Sequence, residues 1–188
     1  MKGARPLTDQ EIQGVLNDLK TLRDKALLIL GCKTGLRISE MLSLTWGDVM
    51  EHGSIGDYVT VQKKNTKGKI ESKTLPLGPT IKEALRTYHE SIRPIDLTQP
   101  LFKSTQSNKS ITRAQAHNVL KDAFRSQKLT GNCSTHSCRK SYAQRIHKAL
   151  GEKIEMTQVA LCHRSLSSTQ SYISVDREAV EKAIVGLG

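Results

Sequence analysis

Apolar residues recur at helical spacing along nearly all of this 188-residue chain, and the period switches to two in one stretch only, between Tyr58 and Leu77. A chain patterned this way buries its apolar surface as packed short helices with one small sheet. The expected class is therefore mainly α: a helical α+β domain with a small antiparallel β-sheet. Thr8 and Glu11 form a capping-box pattern ahead of Ile12, Val15, Leu16 and Leu19. A second helix is expected from Leu22 to Cys32, and its apolar run Ala26 to Leu30 predicts burial on most sides. Thr34-Gly35 interrupts it, and helix resumes from Leu36 to Leu44.

Tyr58 to Gln62 and Ile70 to Leu77 read as the two strands of a hairpin, joined by the lysine-rich turn Lys63 to Lys69. Thr80 with Glu83 is expected to cap the next helix. Arg93 to Ser110 reads as a loop anchored at Leu101-Phe102, and Thr112 with Gln115 opens another helix. A helix from about His136 to Leu150 closes at Gly151. A shorter one is expected near Thr157 to Cys162. Ser167 with Gln170 is expected to cap a turn that carries Tyr172, and Asp176 to cap a tail helix over 176–187. No repeat, low-complexity segment or linker divides the chain, so one domain spanning 1–188 is expected.

Lys and Arg total 29 against 18 Asp and Glu, a formal charge of +11. An excess of that size favours a polyanionic partner, because each phosphate neutralised releases condensed counterions. With only 2 Phe, 4 Tyr and 1 Trp, stacking platforms for single strands are scarce, which favours duplex DNA. No apolar stretch approaches the roughly 20 residues of a membrane span. The basic N-terminus lacks the apolar core of a secretory signal, so a cytoplasmic location and free thiols are expected, with no membrane partner. The order Cys133, His136, Cys138 is not a usual zinc spacing, and no metal or other cofactor is expected.

Five features, each weak alone, occur in one order: Thr34-Gly35-Leu36-Arg37-Ile38-Ser39-Glu40; the lysine-bearing hairpin followed by Thr74-Leu75-Pro76-Leu77; His136-Ser137-Cys138-Arg139; Leu161-Cys162-His163; and Tyr172, nine residues beyond His163. In these features the chain resembles the tyrosine site-specific recombinases, the phage integrase family, over Leu7 to about Ala183. It departs from the family's pattern at Cys138, where Leu is commoner, and at Cys162, where Gly is usual. A side chain at 162 is expected to crowd the turn that places His163.

The resemblance implies a catalytic domain that cleaves and rejoins duplex DNA through a 3′-phosphotyrosine on Tyr172, needing neither metal nor ATP. It implies that Arg37 and Arg139 meet the phosphate, with Glu40 orienting the clamp. Arginine suits such a clamp because its planar fork stays charged and can bind two oxygens. An alternative reading of Arg37 is a surface salt bridge with Glu40 at i+3. His136 would exchange a proton with the tyrosine, and His163 would donate to the phosphate. The family takes its general acid from a hairpin lysine: Lys67 is the first choice, with Lys64 and Lys69 as alternatives. Lys63, Lys64, Lys69, Lys73, Lys140 and Arg164 are expected DNA-backbone contacts.

Other recombinase protomers are the expected partners, giving a tetrameric synapse on DNA from a chain that is monomeric alone, with the tail docking on a neighbour. About ten residues precede the first helix, so the family's N-terminal core-DNA-binding module is expected to be absent, whether by excision or in a naturally short form. Type IB topoisomerases share the chemistry, and a DNA-binding remnant would share the surface; a covalent adduct separates the remnant from an enzyme.

Overall fold

In the computed structural model, which describes residues 3–66, 71–93, 96–173 and 184–186, several helix starts are set by polar caps. Thr8 Oγ1 accepts from Glu11 N at 3.2 Å while the Glu11 carboxylate accepts from Thr8 N at 2.8 Å, opening α1, Asp9–Asp18. Thr112 and Gln115 repeat that exchange ahead of α5, Arg113–Ser126. Each pair satisfies two N–H groups that a first turn leaves orphaned. α2, Leu22–Thr34, is buried on most sides and runs past Cys32, with Thr34 Oγ1 donating to Leu30 O at 2.7 Å. It ends at Gly35, left-handed at φ 65°, whose N–H donates to Gly31 O at 3.1 Å.

The next helix is shorter than the sequence suggests. α3 covers only Ile38–Met41, because Arg37 is held extended as its cap and the turn tightens after Met41, where Leu44 N donates to Met41 O. α4, Pro79–Ile92, starts from Gly78 with proline in its first turn, so Thr80 is inside the helix and not its cap. Proline suits that place, since the N–H it lacks would have had no partner. Glu83 pairs instead with Arg86.

The expected hairpin forms with shorter strands: β3, Tyr58–Val61, and β4, Lys73–Pro76, pair antiparallel from Tyr58↔Pro76 to Val61↔Lys73. A second hairpin escapes the sequence pattern. β1, Met50–Glu51, and β2, Ser54–Ile55, close around His52 and Gly53, both at positive φ as a tight two-residue hairpin turn demands. Strands of two residues carry no alternation to read. Leu101 and Phe102 are fully buried anchors of their loop, and Leu101 N donates to Leu44 O at 2.8 Å.

One apolar cluster joins α2 and α4 to the hairpins around Trp46, which is flanked by the rings of Tyr88 and His89. A second joins Val15, Leu28, Leu120, Phe124 and Cys138. The N-terminal segment straps across this second cluster. Arg5 N donates to Asn132 O and its side chain to Thr130 O, while Leu7 N donates to Ser141 Oγ at 2.7 Å. The Arg5 guanidinium also pairs with Glu11 and thereby holds that carboxyl down at about 2.

α6, Thr135–Ala149, α7, Ile154–Ala160, and α8, Leu166–Gln170, complete the described helices that bear on the site. Contacts divide the chain into two compact units, residues 1–142 and 143–188. The tail helix expected over 176–187 falls outside the described residues save for 184–186, where Ile184 and Val185 are exposed.

Gly35 is irreplaceable on two counts: its φ is left-handed, and a Cβ there would stand 2.3 Å from Tyr142 Cδ1. Gly35→Ala should therefore cost about 1–3 kcal/mol through backbone strain and overpacking. Trp46 is the only tryptophan and is wholly buried in the same unit, so urea unfolding followed by its fluorescence reads the loss. A midpoint equal to wild type would show that the turn relaxes at no cost.

Candidate active site

Within residues 1–142, four of the expected site residues are drawn together from two distant stretches of sequence. Arg139, 3% exposed on α6, donates through its guanidinium to the Gly35 carbonyl, two residues before Arg37. Cys138 is buried beside it at a close approach of α6 to α2, where a Cβ on Gly31 would lie 3.3 Å from Cys138 Cβ.

Arg37 is fixed through Glu40. Glu40 Oε2 accepts from Arg37 N at 2.8 Å, and Oε1 accepts from Arg37 Nη1 at 3.1 Å. The carboxylate is 1% exposed, whereas the Arg37 side chain keeps 23%. Oε1 also accepts from Lys73 Nζ at 2.5 Å. Burial, the largest influence on this carboxyl, opposes ionisation, but the hydrogen bonds and charges of Lys73 and Arg37 outweigh it and hold Glu40 below the usual carboxylate range. Arg37 thus pairs with Glu40 at i+3, as the salt-bridge reading has it, and its side chain stays partly exposed.

His136 lies in the first turn of α6, where Ser134 Oγ accepts from His136 N at 3.3 Å and Ser137 Oγ accepts from Ser134 N at 3.0 Å. Its imidazole is pushed below the ordinary 6.5 by burial of part of the ring, then by the charges of Arg139, Arg37 and Lys140. The neutral form is favoured in the fold. Stability tied to that form is complete above pH 6.5 and is lost as pH falls through the lowered folded value.

Within residues 143–188, a turn geometry places His163. α7 ends at Leu161, Cys162 is left-handed at φ 49°, Cys162 N donates to Val159 O at 2.9 Å, and His163 N donates to Gln158 O at 3.0 Å. That pair of bonds is the Schellman closure, whose left-handed position is normally glycine. Gln158 Nε2 donates to His163 O as well, at 3.0 Å. The expected crowding at 162 is absent, because the Cys162 side chain is exposed; its cost is conformational.

The helix before Tyr172 is capped by Ser165, which accepts from Ser168 N, and not by Ser167. The two serines also share a 2.9 Å hydroxyl bond. His163, 8% exposed, has Nδ1 3.1 Å from Thr169 Oγ1, and its ring centroid lies 5.2 Å from that of Tyr172.

Lys67 and Lys69 fall outside the described residues. Lys63, Lys64 and Arg164 are exposed and Lys140 half-buried. Thr169 went unnoticed in the sequence, and its signal was only its place three residues before Tyr172.

The fold is that of tyrosine-recombinase catalytic domains. XerH recombinase, in a post-cleavage complex with a palindromic difH substrate, superposes with a TM-score of 0.77 at 21% identity, covering 98% of this chain and 53% of that one. Residues 5–179 match the phage integrase family, and the chain belongs to it. The tyrosine recombinase XerD of Staphylococcus epidermidis is 31% identical over 164 residues, covering 85% of this chain and 52% of XerD. The probable integrase/recombinase YoeC of Bacillus subtilis is 28% identical over 174 residues, covering 93% of this chain and 89% of YoeC. The chain thus spans about half the length of its XerD relatives.

Two outcomes check this geometry. Arg37→Gln removes one of the charges that disfavour the His136 imidazolium, so His136 should titrate at higher pH than in wild type when its ring proton is followed by NMR. A midpoint that stays put would mean that the Arg37 charge does not reach the ring. Cys162→Gly should relieve the left-handed strain, raising stability by about 1 kcal/mol in the calorimetric transition that includes α7 and α8. An unchanged or lowered transition would contradict the turn described.

Proposed function

We propose that this chain is the catalytic domain of a site-specific recombinase that breaks and rejoins duplex DNA. The observation that carries the reading is the Arg139 bond to Gly35, which gathers Arg37, Arg139 and His136 into one cationic cluster around a neutral imidazole. Attack on a phosphodiester spreads negative charge over its non-bridging oxygens, and two positioned guanidinium groups answer that charge as it develops. The family match and the XerH likeness support the same chemistry.

In the proposed step the Tyr172 hydroxyl attacks phosphorus, forming the Tyr172 O–P bond as the P–O5′ bond breaks. The phenolic proton passes to His136, and His163 donates to a phosphate oxygen. The departing 5′-oxygen takes a proton from Lys67, or from Lys64 or Lys69 in its place. The products are a 3′-phosphotyrosine and a free 5′-hydroxyl, and attack by a 5′-hydroxyl of the other duplex reverses the step. Because the phosphotyrosine conserves the bond energy, no nucleotide is consumed. Lys63, Lys64, Lys69, Lys140 and Arg164 track the backbone, so binding falls steeply with salt. Exchange between two duplexes requires a nucleophile for each of four strands, hence four protomers on DNA.

Tyr172→Phe keeps the ring and removes only the attacking oxygen. It should bind duplex DNA like wild type yet leave no covalent adduct on a nicked duplex after denaturing electrophoresis. Adduct from the Phe variant would transfer the role to Tyr58, Tyr88 or Tyr142 and overturn the assignment.

A further inference from the structure

We infer that Lys73 is a positioning residue that acts through Glu40: it locks the buried carboxylate, and so the Arg37 guanidinium, and ties the hairpin to the arginine clamp. This rests on the recombinase reading above. Strand parity starts the argument. Along β4 the side chains alternate, with Leu75 packed against the core, Thr74 facing out to share a 3.2 Å hydroxyl bond with Thr60, and Lys73 on the Leu75 side. A lysine on that face needs a buried partner, and Glu40 supplies it at 2.5 Å, leaving the Lys73 side chain 11% exposed. Lys63 and Lys64, by contrast, are exposed.

Both carboxylate oxygens then have donors: Oε1 accepts from Lys73 and Arg37 side chains, Oε2 from Arg37 N. Glu40 can neither turn away nor pair with Arg37 alone. Among the described residues the charged groups bearing on it are Arg37, from its own turn, and Lys73, from β4. One negative charge faces two positive ones, so the unit keeps a net positive charge, and the cation left with an open edge is Arg37. Lys73, its donors turned to Glu40, is neither a backbone-tracking lysine nor the source of the leaving group's proton.

The test compares adduct formation by the whole chain on a nicked duplex across pH. Lys73→Met should lose roughly 10²-fold, the scale of a misplaced catalytic group. Its acid limb should move to higher pH, because Glu40, still buried, takes up a proton more easily, and Lys73→Arg should restore most of the loss. A substrate with sulfur in place of the bridging 5′-oxygen should not rescue Lys73→Met, and in a Glu40→Gln background the substitution should add little.

Sulfur rescue would make Lys73 the general acid, and losses that multiply in the Glu40→Gln background would show action independent of Glu40; either result overturns the proposal. The Glu40 carboxyl, titrated by carbon NMR, should shift upward in Lys73→Met, and no shift overturns the proposal even if the wild-type chain forms no adduct, a failure that would count against the recombinase reading alone. Should Lys73→Met not fold, Lys73→Gln, which keeps a donor without the charge, reads the same shift.

Discussion

The bond from the Arg139 guanidinium to the Gly35 carbonyl joins two stretches more than a hundred residues apart in sequence, and the cationic cluster exists because of it. On one side it holds the first half of α6, with His136 one turn earlier. On the other it holds the left-handed turn from which the chain enters α3. An arginine serves here because its planar fork carries several donors, one of which grips a backbone carbonyl. Gly35 serves because no side chain fits between that turn and Tyr142. The lack of a side chain at 35 and the length of the one at 139 are two halves of one fitting.

Charge is organised around one carboxylate. Removing Glu40 from water is costly, and a single cation would compensate only in part, since both oxygens need donors. Three donor groups from two elements supply them. An ion cluster of this kind adds little net stability over an apolar packing of similar shape. Its worth is geometric, fixing one arginine in one orientation while an edge stays open.

Much of this was legible in the sequence. The helical periods, the Thr8 and Thr112 capping boxes, the one hairpin and the order of the motif residues are local patterns, and local patterns survive folding when tertiary contacts agree with them. What escaped depended on partners remote in sequence or on competing local closures. Two-residue strands have no period. Pro79 displaced Thr80 as the start of α4, and Ser165 displaced Ser167 before Tyr172. Cys162 was marked as a departure for the wrong reason: crowding was expected, whereas the structure shows a left-handed backbone that glycine would adopt freely. Lys73 was counted among the expected DNA-backbone contacts, and its pairing with Glu40, thirty-three residues away, is a tertiary contact that no local pattern shows.

The strap at Arg5 to Leu7 has a mechanical meaning. It is sewn to the loop at Thr130 and Asn132 and to Ser141 on α6, whose own hydroxyl donates to Ser137 O beside His136. A pull on the chain at Arg5 is therefore shared between α1, through Glu11, and the helix of His136 and Arg139, through Leu7 and Ser141. Tension applied at one end of the sequence is heard where the histidine sits.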